Sequence, residues 1–228
     1  MRLLSLLLKG PAGNCSGGKE SDRIHRLYLC ALKFSRESYF YRDLGVPDTF
    51  DGRFELLALF NVLLSGRFQR AEQKDGQGKA HAQRLFDQMF RHVEDTLREM
   101  GIGDLSVPRH MKRMMTAYNG RLQVYLNALD PDCFPLSREV SGKSDVSGKS
   151  AGSSPGNAAG ALAESLRRNV YGTEESVDEH SLEKLAIITK NIWTSLQDRD
   201  IDRIIDGDVS DIFTAPENMA ACRNVKTG

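Results

Sequence analysis

Apolar residues recur at intervals of three and four along most of this chain, which is the spacing of one face of an α-helix. No stretch alternates convincingly between apolar and polar residues with the period of two that is typical of a half-buried strand. After a first helix capped by Ser21, the pattern predicts helices at 81–100, 107–129, 157–171 and 178–198, with a further turn at 201–205. Together with a central helix, these segments predict an all-α domain of five to seven helices.

The central helix is predicted where a turn rich in conformationally restricted residues leads into the most apolar segment of the chain. Gly45 permits a positive φ, Pro47 fixes its own φ, and Asp48 can accept hydrogen bonds from the first N–H groups of a helix. We therefore expect the helix to begin at Asp48, or at Asp51 if the first turn is irregular, and to end at 69–74. Since residues 54–64 contain only two polar side chains, we expect this helix to be buried on most sides.

A second structured turn, GIGDLSVP, precedes the helix predicted at 107–129. Asp104 or Ser106 can cap this helix, and Pro108 is suited to its first turn because that turn needs no N–H donor. Asp130-Pro131 is expected to end it.

The composition along the chain predicts one helical domain with appendages. Residues 1–18 are expected to form a flexible tail, 19–212 the helical domain, and 213–228 a C-terminal tail. Within the domain, residues 140–160 are rich in Ser, Gly and Lys, so they carry too little apolar surface to offset the entropy of ordering. We interpret them as a mobile loop.

Charge and cysteine content limit the classes of partner and compartment. Lys plus Arg equals Asp plus Glu at 31 each, so no overall field favours nucleic acid. The four cysteines are widely spaced and indicate free thiols in a reducing compartment. The apolar runs are too short for a signal peptide or a membrane span. We expect a cytoplasmic protein, or one in the compartment derived from the cytoplasm.

Two long motifs resemble one known family. These are FYRDLGVPDTFDGRFE and the segment from Arg84 to Tyr125, RLFDQMFRHVEDTLREMGIGDLSVPRHMKRMMTAYNGRLQVY, and together they resemble the ubiquinol-cytochrome c chaperone family over roughly residues 28–129. The resemblance implies an assembly chaperone that binds newly made cytochrome b and supports assembly of the bc1 complex. It also implies a second chaperone subunit as a candidate partner, and transient association with the inner face of the inner membrane. No catalytic residue, metal ligand or cofactor and no specific nucleic acid partner is predicted.

The resemblance also implies a client-binding groove, for which we expect the helix at 111–125 with the turn at 39–54 beside it. The predicted client-binding residues are Tyr41, Asp48, Arg53, Met111, Met114, Met115, Tyr118, Arg121 and Tyr125. The motif residues expected to shape the fold are Gly45, Pro47, Asp51, Gly52, Gly103, Asp104 and Gly120.

The methionines of the 107–129 helix support a binding role but also fit a core. Met111, Met114 and Met115 cannot all face one narrow stripe, because neighbouring positions on a helix are about 100° apart. Flexible thioether side chains suit surfaces that accept varied apolar partners, and the nearby bases suit phosphates or an acidic partner. The alternative is that all three methionines fill the core and the bases form a solvated face.

The competing function is a metal-assisted hydrolase that uses Asp48, Asp51 and Glu55, since clustered carboxylates can bind a cation or transfer protons. The structural alternative is that acids are favoured in the first turn of a helix, where Arg53 can pair with Asp48 or Asp51. The histidines show no metal-binding spacing. A constitutive subunit of a respiratory complex is a third class that the sequence leaves open.

Overall fold

The computed structural model describes residues 19–134, 158–172 and 177–214 of the chain, and within these ranges all regular structure is helical. The longer helices are α1 (Lys19–Ser35), α3 (Phe50–Asp75), α4 (Gly78–Glu99), α5 (Val107–Leu129), α6 (Ala158–Leu166) and α7 (Glu179–Asp198). Three helices of five residues, α2 (Ser38–Arg42), α8 (Ile201–Ile205) and α9 (Ser210–Thr214), complete the set, and a π-helical turn (Arg167–Tyr171) follows α6. The predicted all-α fold is confirmed. None of the helices in these ranges combines the length and hydropathy of a transmembrane span.

Helix α3 forms the centre of the core, as its composition predicts. Every side chain from Phe54 to Ser65 is buried, and the helix packs against α1, α4, α5 and α7. At Gly66 the backbone comes so close to α5 and α7 that an added Cβ would overlap Leu126 and lie 3.0 Å from the ring of Trp193. The polar residue Asn61 is accommodated by donating from its side-chain amide to the carbonyl oxygen of Leu57 at 2.9 Å.

The turn before α3 has the predicted conformation but a different cap. Gly45 has φ of +66°, and the N–H of Val46 donates to the carbonyl oxygen of Phe40 at 3.0 Å. Thr49 caps α3, because its hydroxyl oxygen accepts from the N–H of Gly52 at 3.1 Å. The prediction that Asp48 or Asp51 begins the helix is therefore wrong by one or two residues.

Other predicted boundaries agree or differ for identifiable reasons. Helix α5 has the predicted bounds, although Ser106 at its N-cap makes no side-chain capping hydrogen bond. Ser21 lies inside α1 and does not cap it, since α1 already begins at Lys19. At the C-terminal side, the core extends through α9 because Phe213 packs on Phe34 with ring centroids 5.3 Å apart. This is one residue past the predicted domain boundary.

The π-helical turn and α7 position the last part of the core. The π-helical turn ends at Gly172, whose φ is +66°, and the hydroxyl of Tyr171 donates to the carbonyl oxygen of Leu44 at 3.0 Å. Asp178 caps α7 by accepting from the N–H of Ser181 at 3.0 Å. Of the loop predicted at 140–160, residues 158–160 belong to α6. The rest of that loop, the predicted tail at 1–18 and residues 215–228 lie outside the described residues.

Candidate functional site

Helix α5 carries most of the predicted site residues, and it borders two clefts. Successive residues of an α-helix are about 100° apart, so the buried stripe of α5 leaves a flank on each side. The stripe consists of Met111, Met114, Tyr118 and Tyr125, which are all buried. One flank lines a cleft with five charged side chains, and the other lines a cleft that combines aromatic and aliphatic side chains with mostly uncharged polar ones.

The first cleft, here called the polar cleft, has a volume of about 520 Å³ and lies between α5, the start of α3 and the π-helical turn. The α5 wall presents Arg113 and Arg121, and the π-helical turn presents Arg168. Asp51 and Glu55 line the side that belongs to α3. The remaining lining residues are Pro47, Thr49, Gly52, Phe54, Met114, Ala117, Asn169, Val170, Tyr171 and Gly172.

An ion pair between Glu55 and Arg121 lies in the wall of the polar cleft. The two side chains are 9% and 19% exposed, and two nitrogens of the Arg121 guanidinium donate to the two carboxylate oxygens. Burial raises the pKa of Glu55, while the hydrogen bonds from Arg121 oppose that change. A buried carboxylate needs such a partner, since an uncompensated charge in the core is strongly destabilising. The pair therefore links α3 to α5 in the wall of the cleft.

A second charged pair stabilises the turn beside the polar cleft. The Arg53 Nε donates to Asp48 at 2.6 Å, and the guanidinium carbon lies 4.9 Å from the centroid of the Tyr41 ring. The hydroxyl of Tyr41 donates to the carbonyl oxygen of Ser35 at 2.6 Å, so the ring is held between α1 and α3. This arrangement confirms that Arg53 pairs with Asp48, which was one of the two options that the sequence left open.

The second cleft, here called the apolar groove, has a volume of about 660 Å³ and lies between α3, α4, α5 and the segment after α5. Phe86 of α4 is half-buried, and its ring centroid lies 4.4 Å from that of Phe90 and 5.4 Å from that of Tyr118. Leu122 and Phe134 supply further apolar surface. The other lining residues, most of them polar, are Ser65, Gln69, Lys79, Ala82, Gln83, Asn119 and Cys133.

The structure changes the expected placement of the client-binding residues. The sequence predicts an apolar groove between the helix at 111–125 and the turn at 39–54, but the cleft at that place is the polar one. Met111, Met114, Tyr118 and Tyr125 are buried, and Met115 is half-buried against the core. The interpretation that fits the two buried methionines, Met111 and Met114, is therefore core packing. Asp48 is exposed, and Tyr41, Arg53 and Arg121 are partly exposed.

The motif residues that were expected to shape the fold fall into two groups. Gly45 has a positive φ, and an added Cβ at Gly52 would overlap the carbonyl oxygen of Pro47, so both positions require glycine. A Cβ at Gly103 or Gly120 would meet nothing within 4 Å, and nothing in the structure explains glycine there. Asp51 lies in the first turn of α3, and Asp104 pairs with Arg98 at the end of α4.

The carboxylates of the alternative hydrolase do not form one set. Asp48 is paired with Arg53 and Glu55 with Arg121, while Asp51 lines the polar cleft. Among the described residues, no group of three or more His, Cys, Asp or Glu side chains is placed to hold a metal ion.

Two features of the site were not predicted from the sequence. Phe86 and Leu122 belong to the stripes of α4 and α5, and their position in those stripes did not reveal that they remain half-exposed in a groove. The pairing of Glu55 with Arg121 was also missed, because these residues are 66 positions apart. The signal that could have indicated it is that Glu55 is the lone acid of the apolar stretch 54–64, since a buried acid needs a cationic partner.

The comparisons with known proteins agree with the resemblance found in the sequence. A family described as "Ubiquinol-cytochrome C chaperone" matches residues 42–142, a range that includes α3, α4 and α5. The crystal structure of the Cbp3 homolog from Brucella abortus is similar to this chain with a TM-score of 0.64 and 28% identity, over 84% of this chain and 89% of that one. No curated protein matches the chain at a comparable level. The resemblance predicted from the sequence is confirmed.

Proposed function

We propose that this protein is an assembly chaperone of the ubiquinol-cytochrome c oxidoreductase (bc1) complex and that it binds newly made cytochrome b. The observation that carries the proposal is the family match over residues 42–142, because this range includes all but the first two residues of the two sequence motifs and the α3, α4 and α5 walls of the clefts. The similarity to the Cbp3 homolog over most of both chains supports it.

The apolar groove supplies a surface that suits this role. A membrane protein that has not yet been inserted exposes apolar side chains, and a groove with an aromatic and aliphatic floor can cover some of them. Phe86, Leu122 and Phe134 provide that floor, while Gln83 and Asn119 belong to the polar part of the lining. At about 660 Å³ the groove accommodates a few side chains from one face of a helix. Such binding requires no bond chemistry in the chaperone.

The proposal includes two further partners that the resemblance implies. One is a second chaperone subunit, and the other is the inner face of the inner membrane, with which the protein would associate transiently from the cytoplasmic side. Asp48, Arg53 and Arg121 stay in the proposal as polar contacts for a client, since they are at least partly exposed beside the polar cleft. Met111, Met114, Tyr118 and Tyr125 would act by supporting the walls of the clefts.

Deletion of the gene tests the function in the cell. We expect the level of cytochrome b to fall and assembly of the bc1 complex to fail, while the transcript of cytochrome b remains. Normal levels of both in the deletion strain would contradict the proposal. Co-purification of the protein with the mature complex at fixed stoichiometry would instead support a constitutive subunit.

A variant pair tests whether the groove is the binding surface. Asn119→Arg places a long charged side chain in the lining of the groove, whereas Gln123→Arg adds the same side chain at an exposed position of α5 that does not line it. We expect Asn119→Arg to reduce crosslinking to newly made cytochrome b about tenfold, which corresponds to about 1.4 kcal/mol of binding free energy. Gln123→Arg should crosslink like the wild type. Equal crosslinking by both variants would rule out the groove, without bearing on the deletion experiment.

A further inference from the structure

One large apolar side chain of the described residues is almost completely exposed. Leu105, in the turn between α4 and α5, has 99% of its surface accessible, while the next most exposed, Ile187, has 39%. The turn itself is held by backbone hydrogen bonds, since the N–H of Ser106 donates to the carbonyl oxygen of Gly103 at 2.7 Å and that of Ile102 donates to Leu97 at 3.2 Å. The side chain of Leu105 therefore projects into solvent from an ordered turn.

Three exposed bases follow this leucine on the first turns of α5. Arg109, Lys112 and Arg113 are exposed on the first turns of α5, and no acid lies between Leu105 and Leu122. The three bases lie within about 100° of one another around the helix, so they share one face with Thr116. Asp104, the nearest acid in the turn, is paired with Arg98. We call Leu105, Arg109, Lys112 and Arg113 the basic tip.

We propose that the basic tip docks on an anionic lipid bilayer, with Leu105 inserted among the lipid chains and the three bases at the level of the headgroups. Single exposed hydrophobic residues are ordinary on protein surfaces, so the proposal depends on the combination of an ordered protruding leucine with three exposed bases, of which Arg113 also lines the polar cleft. A protein partner would need a pocket shaped for one leucine with acidic side chains beside it, whereas a lipid bilayer needs no preformed pocket. A deformable bilayer with anionic headgroups fits both its shape and its charge.

The position of the basic tip leaves the apolar groove free. The tip is at the N-terminal end of α5, and the groove is lined by later turns of the same helix, at Tyr118, Asn119 and Leu122. One leucine and three cations give weak and reversible binding, because stable anchoring takes a larger apolar group or two lipid chains. The inference rests on the membrane association included in the proposed function and assigns it to a surface, and it does not depend on the proposed client.

Vesicle co-sedimentation with the full chain tests the proposal. We expect binding to vesicles of phosphatidylcholine mixed with phosphatidylglycerol, much weaker binding to phosphatidylcholine alone, and loss of binding at high salt. Leu105→Ser should weaken binding to the mixed vesicles about tenfold, since it removes one buried leucine. Arg109→Glu combined with Lys112→Glu should weaken it by about twentyfold or more, since each surface charge contributes about fivefold.

Matched controls separate the basic tip from general effects of charge and hydrophobicity. Ile187→Ser removes the other exposed apolar side chain, and Lys33→Glu combined with Arg42→Glu reverses two exposed bases elsewhere. Both controls should bind within about twofold of the wild type, because neither changes the tip. Leu105 is too exposed to contribute to the core, so circular dichroism melting of Leu105→Ser should match the wild type.

Three results would overturn the proposal. The first is that the wild-type chain does not bind the mixed vesicles. The second is that Leu105→Ser binds them as well as the wild type does. The third is that the protein does not bind vesicles but binds a poly-glutamate peptide, and that Leu105→Ser abolishes the peptide binding. This result would identify the tip as a docking surface for an acidic protein. Reduced cytochrome b in a deletion strain would remain compatible with all three, so failure here is distinguishable from failure of the chaperone proposal.

Discussion

The polar cleft and the apolar groove flank the same helix and have similar volumes, but different forces hold their walls together. In the polar cleft, one buried ion pair between Glu55 and Arg121 joins α3 to α5. In the apolar groove, the contacts between α4 and α5 are made by rings such as Phe86, Phe90 and Tyr118. Each such contact is weak, and their sum holds the wall.

This difference predicts different responses to substitution. The walls of the polar cleft depend on the pair between Glu55 and Arg121 and on the close approach of Gly52 to Pro47. The protein should therefore lose much stability when either is changed. The wall of the apolar groove is held by many weak contacts, so the protein should lose little stability when one side chain is truncated. A surface that can repack in this way can also accommodate varied apolar partners. The groove is therefore the better candidate for binding a client with several apolar segments, and the polar cleft is the more rigid element.

The largest effect is expected for Arg121→Met. This variant leaves the Glu55 carboxylate without its partner in a site where its side chain is only 9% exposed. We expect the free energy of unfolding to fall by about 4 kcal/mol, measured by urea denaturation followed by circular dichroism. Replacing both members, Glu55→Gln with Arg121→Met, should recover most of the loss, because no charge is then buried alone. A single variant as stable as the wild type would mean that the pair does not hold the cleft.

A fall in pH should lower the free energy of unfolding, because α4, which lines the apolar groove, contains the buried histidine His92. The His92 Nδ1 is 2.5 Å from the hydroxyl oxygen of Tyr28, and burial together with the charge of Arg36 lowers the pKa of His92 to about 4. The unfolded chain takes up this proton near pH 6.5, so stability should fall as the pH drops from about 6.5 to about 4. The contribution of this residue is about 3 kcal/mol.

Urea denaturation at the two ends of this pH range measures the effect. The loss of stability on acidification should be smaller in His92→Gln than in the wild type, since glutamine does not titrate. His180→Gln changes an exposed histidine and should keep the wild-type pH dependence. The same pH dependence in His92→Gln as in the wild type would show that His92 is not the responsible group.

Two glycine substitutions compare a required position with a permissive one. Gly52→Ala places a methyl group against the carbonyl oxygen of Pro47 beside the polar cleft, and we expect a loss of about 2 kcal/mol in thermal or urea unfolding. Gly120→Ala adds the same group within α5 where nothing lies within 4 Å, so it should be neutral or stabilising by about 0.5 kcal/mol. Equal destabilisation by both variants would contradict the close approach at Gly52.

The smallest effect is expected in the groove itself. Leu122→Ala removes a half-buried side chain from the groove wall, and we expect a loss of about 1 kcal/mol in urea denaturation, well below the cost of Arg121→Met. Binding of newly made cytochrome b should fall more than stability does, since Leu122 belongs to the proposed contact surface. A stability loss as large as that of Arg121→Met would remove the distinction between the two clefts.

Local signals predicted the helices well and the surfaces poorly. Helix α5 has its predicted bounds because Pro108 and Asp130-Pro131 act on the backbone next to them. The pairing of Arg53 with Asp48 could also be predicted from the sequence, because these residues are only five positions apart. The pairing of Glu55 with Arg121 could not, because 66 positions separate these residues, and the sequence did not indicate the apolar groove on the α4 side of α5.

The amino-acid sequence by itself determined the all-α class, the buried central helix and the turn before it, because helical periodicity, caps and glycine conformations act over a few neighbouring residues. Only the tertiary structure decided which residues of other elements complete the cleft on each flank of α5. That choice depends on which distant residues α3, α4 and the π-helical turn bring against the helix, and the spacing of residues within α5 carries no information about its neighbours.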